Sequence, residues 1–121
     1  MKAQRGGRII NISSGTAFNG SATRIHYVTS KAGVLGFTRT LAREVGPNGI
    51  TVNAIAPGST LSEEHATDEI VKMRQGAVQG RALARLQLPQ DLVGAVIFFA
   101  SDDSAFVTGQ TLVVDGGGFM H

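Results

Sequence analysis

The sequence predicts an α/β fold built on a parallel sheet, and three observations carry that expectation. Short apolar runs stand at residues 8–12 (RIINI), 50–56 (ITVNAIA) and 111–114 (TLVV). None alternates strictly, which is how strands covered on both faces read. The segments between them are long enough to hold the helix that a parallel crossover requires.

Residues 1–7 are polar and end in Gly6-Gly7, as a loose end would. The first run, 8–12, is β-branched and bounded by glycine before and Ser-Ser-Gly after, so it reads as a buried strand. Residues 13–24 are rich in Ser, Gly, Thr and Asn and read as a loop. From 25 to 45 the period changes. Val28, Ala32, Leu35, Thr38, Ala42 and Val45 recur at helical spacing, as do Val34, Phe37 and Leu41. An apolar surface that wide predicts a well-buried helix. Gly46-Pro47-Asn48-Gly49 stops it.

Pro57-Gly58 ends the second strand, and a short helix is expected near 63–74. Pro89 opens the next helix, because proline at a first helical turn sacrifices no hydrogen bond. Leu92, Val93, Val96, Ile97, Phe99 and Ala100 follow at helical spacing until Ser101-Asp102-Asp103. The last strand closes on Asp115 and three glycines. A first strand so near the start of a three-stranded parallel sheet leaves an edge that a neighbour would cover.

With 121 residues the chain fits one domain, able to bury roughly two-thirds of its unfolded surface. Apolar residues make up 42% and charged residues 17%, a globular balance. The net charge of +2 comes from scattered Lys and Arg, which argues against nucleic-acid binding as the main function. With no cysteine, disulfide scaffolds and thiolate metal sites are excluded. The three histidines, His26 and His65 among them, are widely separated, so no metal is expected. No signal peptide or membrane-spanning run is read in the sequence, and a cytoplasmic protein is the expectation.

Tyr27 and Lys31 stand four apart and share a helix face. An ammonium near a phenol favours phenolate, which makes a tyrosine a usable general acid and base. Ser14, thirteen residues before Tyr27, ends the first strand, where a loop can bring its hydroxyl beside the phenol. Such a pair is common, and alone it reads first as a half-buried tyrosine and a snorkelling lysine.

The ordered series GRIINISS, YVTSKAG, ITVNAIAPG and TGQTLVVDGG resembles the short-chain dehydrogenase/reductase family over essentially the whole chain. The resemblance implies a Rossmann-like three-layer α/β/α fold, here the carboxyl-terminal part of a doubly wound parallel sheet. It implies an oxidoreductase that uses NAD or NADP to move hydride to or from a small-molecule carbonyl or secondary alcohol. In that family the Tyr of Tyr-x-x-x-Lys carries the proton; it falls on Tyr27. The Lys, on Lys31, binds the nicotinamide ribose and acts on the Tyr. The serine, on Ser14, polarises the substrate oxygen. The family's Pro-Gly, whose backbone lines the nicotinamide, falls on Pro57 and Gly58, and a cofactor-binding hydroxyl falls on Ser62, where Thr is usual. The segment from Ser59 to about Gly80 resembles a variable substrate lid. RLQLPQDL (residues 85–92) resembles the family's Arg-x-Gly-x-Pro-Glu-Asp-Val, with Gln87 in place of the glycine and Gln90 in place of the glutamate.

The family's glycine-rich turn after its first strand has no counterpart here, nor does its Asn-Asn-Ala-Gly element. Residues 1–121 are therefore expected to be a partial domain, the catalytic half without the glycine-rich dinucleotide-binding half. Two readings follow: an oxidoreductase complete only with its other half, or an inactive half-domain that serves as an assembly or interaction module. Self-association, or a homo-oligomer, is expected in either case. The substrate is not read: aryl ketones, secondary alcohols and 3-oxoacyl thioesters all stand.

Overall fold

The computed structural model describes residues 1–120. Three strands, β1 (Gly7–Ile12), β2 (Ile50–Pro57) and β3 (Thr111–Val114), form one parallel sheet in the order β1-β2-β3. Four α-helices accompany it: α1 (Thr16–Asn19), α2 (Ile25–Val45), α3 (Asp68–Gly76) and α4 (Gln90–Ala100). This is the Rossmann-like α/β arrangement that the sequence predicts.

The central strand explains why its sequence is apolar without alternation. Residues 50–56 are all buried. Successive side chains of a strand point to opposite faces, so both faces of β2 are covered. On one of them Ile50 and Val52 pack with Ala42 and Val45 of α2, and Ile9 and Leu41 lie against that cluster. The register runs from Gly7 opposite Ile50 to Ile12 opposite Ile55, then from Ala54 opposite Thr111 to Pro57 opposite Val114. It brings Ile12, Pro57 and Val114 to the same end of the sheet.

Polar groups in the core are matched. Thr38 is fully buried; its Oγ1 donates to the Val34 carbonyl at 2.7 Å and accepts from Asn11 Nδ2 at 2.9 Å. Asn53 of β2 holds the turn before β3: its Nδ2 donates to Val107 O at 2.8 Å, and its Oδ1 accepts from Gln110 N at 3.0 Å. Arg8 of β1 reaches the end of α4, donating to the Ser101 carbonyl and pairing with Asp102 at 3.1 Å.

Three expectations change in detail. The loop at 13–24 contains α1, a single turn whose four residues are too few to show a period. Helix α3 begins at Asp68 rather than near 63, because Thr67 caps it: Thr67 Oγ1 accepts from Ile70 N at 3.4 Å. Helix α2 buries only Leu35, Thr38, Ala42 and Val45, while Ile25 and Phe37 are exposed. One small sheet covers one side of a helix, so of the second apolar set Leu41 still reaches the core and Val34 is half-buried, while Phe37 is left uncovered. At the foot of α2 the expected stop is a 3-10 turn, Gly46–Asn48, followed by Gly49 at φ +72°. A side chain on Gly49 would also strike the Arg5 carbonyl, since a Cβ there would lie 2.7 Å from that oxygen. No helix among the described residues is long and apolar enough to cross a membrane.

Candidate active site

The carboxyl ends of parallel strands are where open α/β sheets form their crevices. Here the ends of β1 and β2 are tied together beyond the ladder. Ser13 N donates to Ile55 O at 2.8 Å, and Gly15 N donates to Pro57 O at 2.9 Å. Gly58 N then donates to Val114 O at 3.0 Å. A cleft of about 640 Å³ opens over this end.

All six residues singled out in the sequence line that cleft: Ser14, Tyr27, Lys31, Pro57, Gly58 and Ser62. Ser14 follows β1 and is buried. Its Oγ accepts from the Thr16 amide at 3.3 Å and from Thr16 Oγ1 at 3.0 Å. Tyr27 and Lys31 stand one turn apart on α2, both half-buried. Lys31 Nζ lies 5.9 Å from the centre of the Tyr27 ring, within cation–π range, and donates to the Ile12 carbonyl at 3.0 Å. The neighbouring Ser13 Oγ donates to the Lys31 carbonyl at 2.8 Å, which pins this part of α2 to the end of β1. Ser62 is exposed at the rim of the cleft.

Gly58 marks a close approach. A Cβ on it would lie 2.6 Å from Asp115 Cβ and 2.8 Å from Gln87 Oε1. Asp115 itself is buried, and its carboxylate accepts from the amides of Gly117, Gly118 and Phe119 at 2.8–3.1 Å.

Three arginines of the cleft, Arg24, Arg74 and Arg81, escape a reading by motif, as does the part that Gln87 plays beside Arg81. Arg81 is buried, and its hydrogen bonds go to carbonyl oxygens. It donates to Ser59 O at 2.6 Å, to Arg85 O at 3.2 Å and to Gln87 Oε1 at 3.4 Å. Gln87 Nε2 donates to Val114 O at 2.6 Å, and Leu61 N donates to Gln87 O at 2.9 Å. Arg81 and Gln87 together clamp the Gly58–Leu61 turn to the end of β3. Arg74 of α3 lines the cleft and pairs with Glu63 at 2.6 Å; this hydrogen bond, with backbone donors, lowers the Glu63 pKa. Arg24 stands just before α2 and also faces the cleft. The only sequence signal among these is Gln87, which departs from the glycine of the resembled motif. Arg74 is offset by Glu63, so Lys31, Arg24 and Arg81 stand as three cations against the Asp115 carboxylate, itself held by three amides, and the walls favour an anionic ligand.

Outside the cleft, Arg85 pairs bidentately with Asp91 at 2.6 and 2.7 Å, and that bond holds the Asp91 carboxyl well below the usual carboxylate range. It fixes the RLQLPQDL turn against α4.

A crossover sheet with serine, tyrosine and lysine at one cleft defines a class, and comparison with known proteins agrees: the chain belongs to the short-chain dehydrogenase/reductase family. The family profile described as Enoyl-(Acyl carrier protein) reductase matches residues 1–118. Among similar curated proteins, 3-oxoacyl-[acyl-carrier-protein] reductase FabG of Rickettsia felis is 45% identical, covering 99% of this chain and 49% of the relative. The short-chain reductase protein NovJ of Streptomyces niveus is 43% identical, covering 97% and 47%. Acetoacetyl-CoA reductase of an Acinetobacter species is 39% identical, covering 100% and 48%. The chain thus spans about half the length of the curated relatives it matches.

Proposed function

We propose that this chain supplies the catalytic half of an NAD(P)-dependent oxidoreductase that interconverts a carbonyl compound and a secondary alcohol. One observation carries the reading: Ser14, Tyr27 and Lys31 line a single cleft at the carboxyl ends of the strands, against the Pro57–Gly58 turn. Tyr27 is assigned proton transfer to and from the substrate oxygen. Lys31 is assigned the ribose hydroxyls and the phenol, and Ser14 the polarisation of the same substrate oxygen. Bound nicotinamide supplies or accepts the hydride. The donor set suits the nicotinamide-ribose end of the cofactor, with Pro57, Gly58 and Ser62 lining the same cleft. The cleft volume lies within the usual range for small-molecule sites. No glycine-rich strand-to-helix turn occurs among residues 1–120 to cradle a diphosphate, so tight binding is assigned to the whole protein and not to these residues alone.

The substrate class we infer is a 3-oxoacyl thioester. Two of the relatives named above are reductases of such compounds by their names. The test is steady-state oxidation of NADPH and of NADH by the full-length protein with an acetoacetyl thioester and with an aryl ketone. Turnover with the thioester is expected; no turnover with either cofactor and either substrate rejects the reading.

A second reading, an assembly module without catalysis, draws on a different observation. Val93 and Ile97 of α4 and the nearby Phe106 are exposed. β1 pairs only with β2 among the described residues. Calorimetric titration of the 121-residue chain with NADH and NADPH, together with light scattering over a concentration series, separates the two. Weak cofactor binding with self-association is expected of these residues alone; micromolar binding by a stable monomer would show them to be a sufficient minimal domain.

A further inference from the structure

We propose that Thr16 is a positioning residue that fixes Ser14 as a hydrogen-bond donor toward the substrate oxygen. The inference rests on the function proposed above and concerns how Ser14 is held. A serine hydroxyl has one proton to give and two lone pairs to receive. Both acceptor positions of Ser14 Oγ are met by one residue: the Thr16 amide at 3.3 Å and the Thr16 hydroxyl at 3.0 Å.

The backbone around them is fixed independently. Gly15 N donates to Pro57 O at 2.9 Å, and Ala17 N donates to Ser14 O at 3.0 Å. Ser14 is buried at the cleft wall, so bulk water does not reorient its hydroxyl freely. With its lone pairs engaged, the one hydrogen bond left to Ser14 is donation of its own proton. That is the polarity needed to polarise a carbonyl oxygen, or to hold the oxygen of an alcohol whose proton goes elsewhere. It also pre-orients the donor before substrate arrives, and pre-oriented dipoles cost no reorganisation during reaction. Thr16 touches no reacting atom; it acts through Ser14.

The opposite rotor arrangement has Ser14 donating to Thr16 Oγ1. Thr16 would then withhold the proton, and removing its hydroxyl would release it. The two arrangements predict opposite signs. Thr16→Val keeps the shape of the side chain and deletes the hydroxyl, whereas Thr16→Ser keeps the hydroxyl. Steady-state kinetics on the full-length holoenzyme are expected to show kcat lowered about tenfold in Thr16→Val, the effect of one weakened hydrogen bond in the transition state. KM, the cofactor Kd and the melting temperature are expected to stay at wild-type values, and Thr16→Ser is expected to restore kcat. A merely structural threonine would move the melting temperature and not the ratio of kcat to KM.

Wild-type or raised kcat in Thr16→Val overturns the inference, as does a Thr16→Ser variant no better than Thr16→Val. If Thr16→Val does not fold, Thr16→Ser and Thr16→Ala decide on the same terms. Ser14→Ala separates the two levels. Loss of turnover in Ser14→Ala with none in Thr16→Val rejects this inference alone. A wild-type protein without turnover, or a Ser14→Ala variant that keeps it, rejects the proposed function and this inference with it.

Discussion

The ammonium of Lys31 sits 5.9 Å from the centre of the Tyr27 ring while donating a 3.0 Å hydrogen bond to the carbonyl of Ile12, the last residue of β1. The lysine therefore joins the first turns of α2 to the end of the strand, and the phenol is presented to the cleft beside it. A substitution at either residue tests both the chemistry and this tie.

Tyr27→Phe is expected to lower kcat of the full-length enzyme by roughly 10²–10⁴, the usual worth of a positioned general acid–base. Tyr27 is half-buried and its ring is retained, so the melting temperature should hold. Activity within tenfold of wild type removes Tyr27 from its assigned role.

Lys31→Met keeps the apolar stem and deletes the charge. Weaker cofactor binding and a displaced pH–rate profile are expected together, because one ammonium is assigned to both ribose and phenol. Titration of the cofactor and a pH series check this; if both are unchanged, the double role is wrong.

Thr38→Val should destabilise the fold by about 1–3 kcal/mol, the range for stranding a buried polar partner. It leaves Asn11 Nδ2 without its 2.9 Å acceptor beneath α2. Urea unfolding measures the loss, and a midpoint equal to wild type would mean that Asn11 finds another partner.

Arg81→Met should likewise cost about 1–3 kcal/mol, since it strips three carbonyl oxygens of a buried donor. Its second signature is local. The Leu61 amide, bonded to Gln87 O, should exchange faster as the clamp on the Gly58–Leu61 turn loosens. Unchanged exchange at Leu61 with a lowered midpoint would make Arg81 a support of the fold without influence on the turn.

The Glu63–Arg74 pair should respond to acid in a defined direction. Glu63 has its pKa lowered from 4.5 by the hydrogen bond from Arg74. A lowered carboxyl stabilises the folded arrangement fully above the unfolded value and loses that contribution as pH falls toward the folded one. The Glu63–Arg74 pair should therefore be intact at neutral pH and open only below about pH 4.5. A carbon-detected NMR titration of the Glu63 carboxyl checks it, with Arg74→Gln expected to bring the midpoint back up.

The sequence by itself determined the sheet, the long helix and the candidate residues. Apolar runs mark all three strands, but only β2 is buried along its length; β1, expected to be buried, and β3 are half-exposed at the sheet's two edges, where a strand has one neighbour. Tyr27 and Lys31 share a face because the helical repeat puts residues four apart together. Tertiary structure alone decided the rest. The turn of α1 is too short for a period; it is closed by local backbone bonds, Ala17 N to Ser14 O and Phe18 N to Gly15 O, and Gly15 N ties it to Pro57 O across the sheet end. The start of α3 was set by a capping hydroxyl at Thr67, inside a polar stretch that gives no pattern. The exposure of Phe37 followed from how little sheet there is to cover α2. Arg81 and Gln87 look like ordinary surface residues in a polar segment. Their burial follows from carbonyls at Ser59 and Val114, 22 and 27 residues away along the chain, which meet them only once β2 and β3 lie side by side.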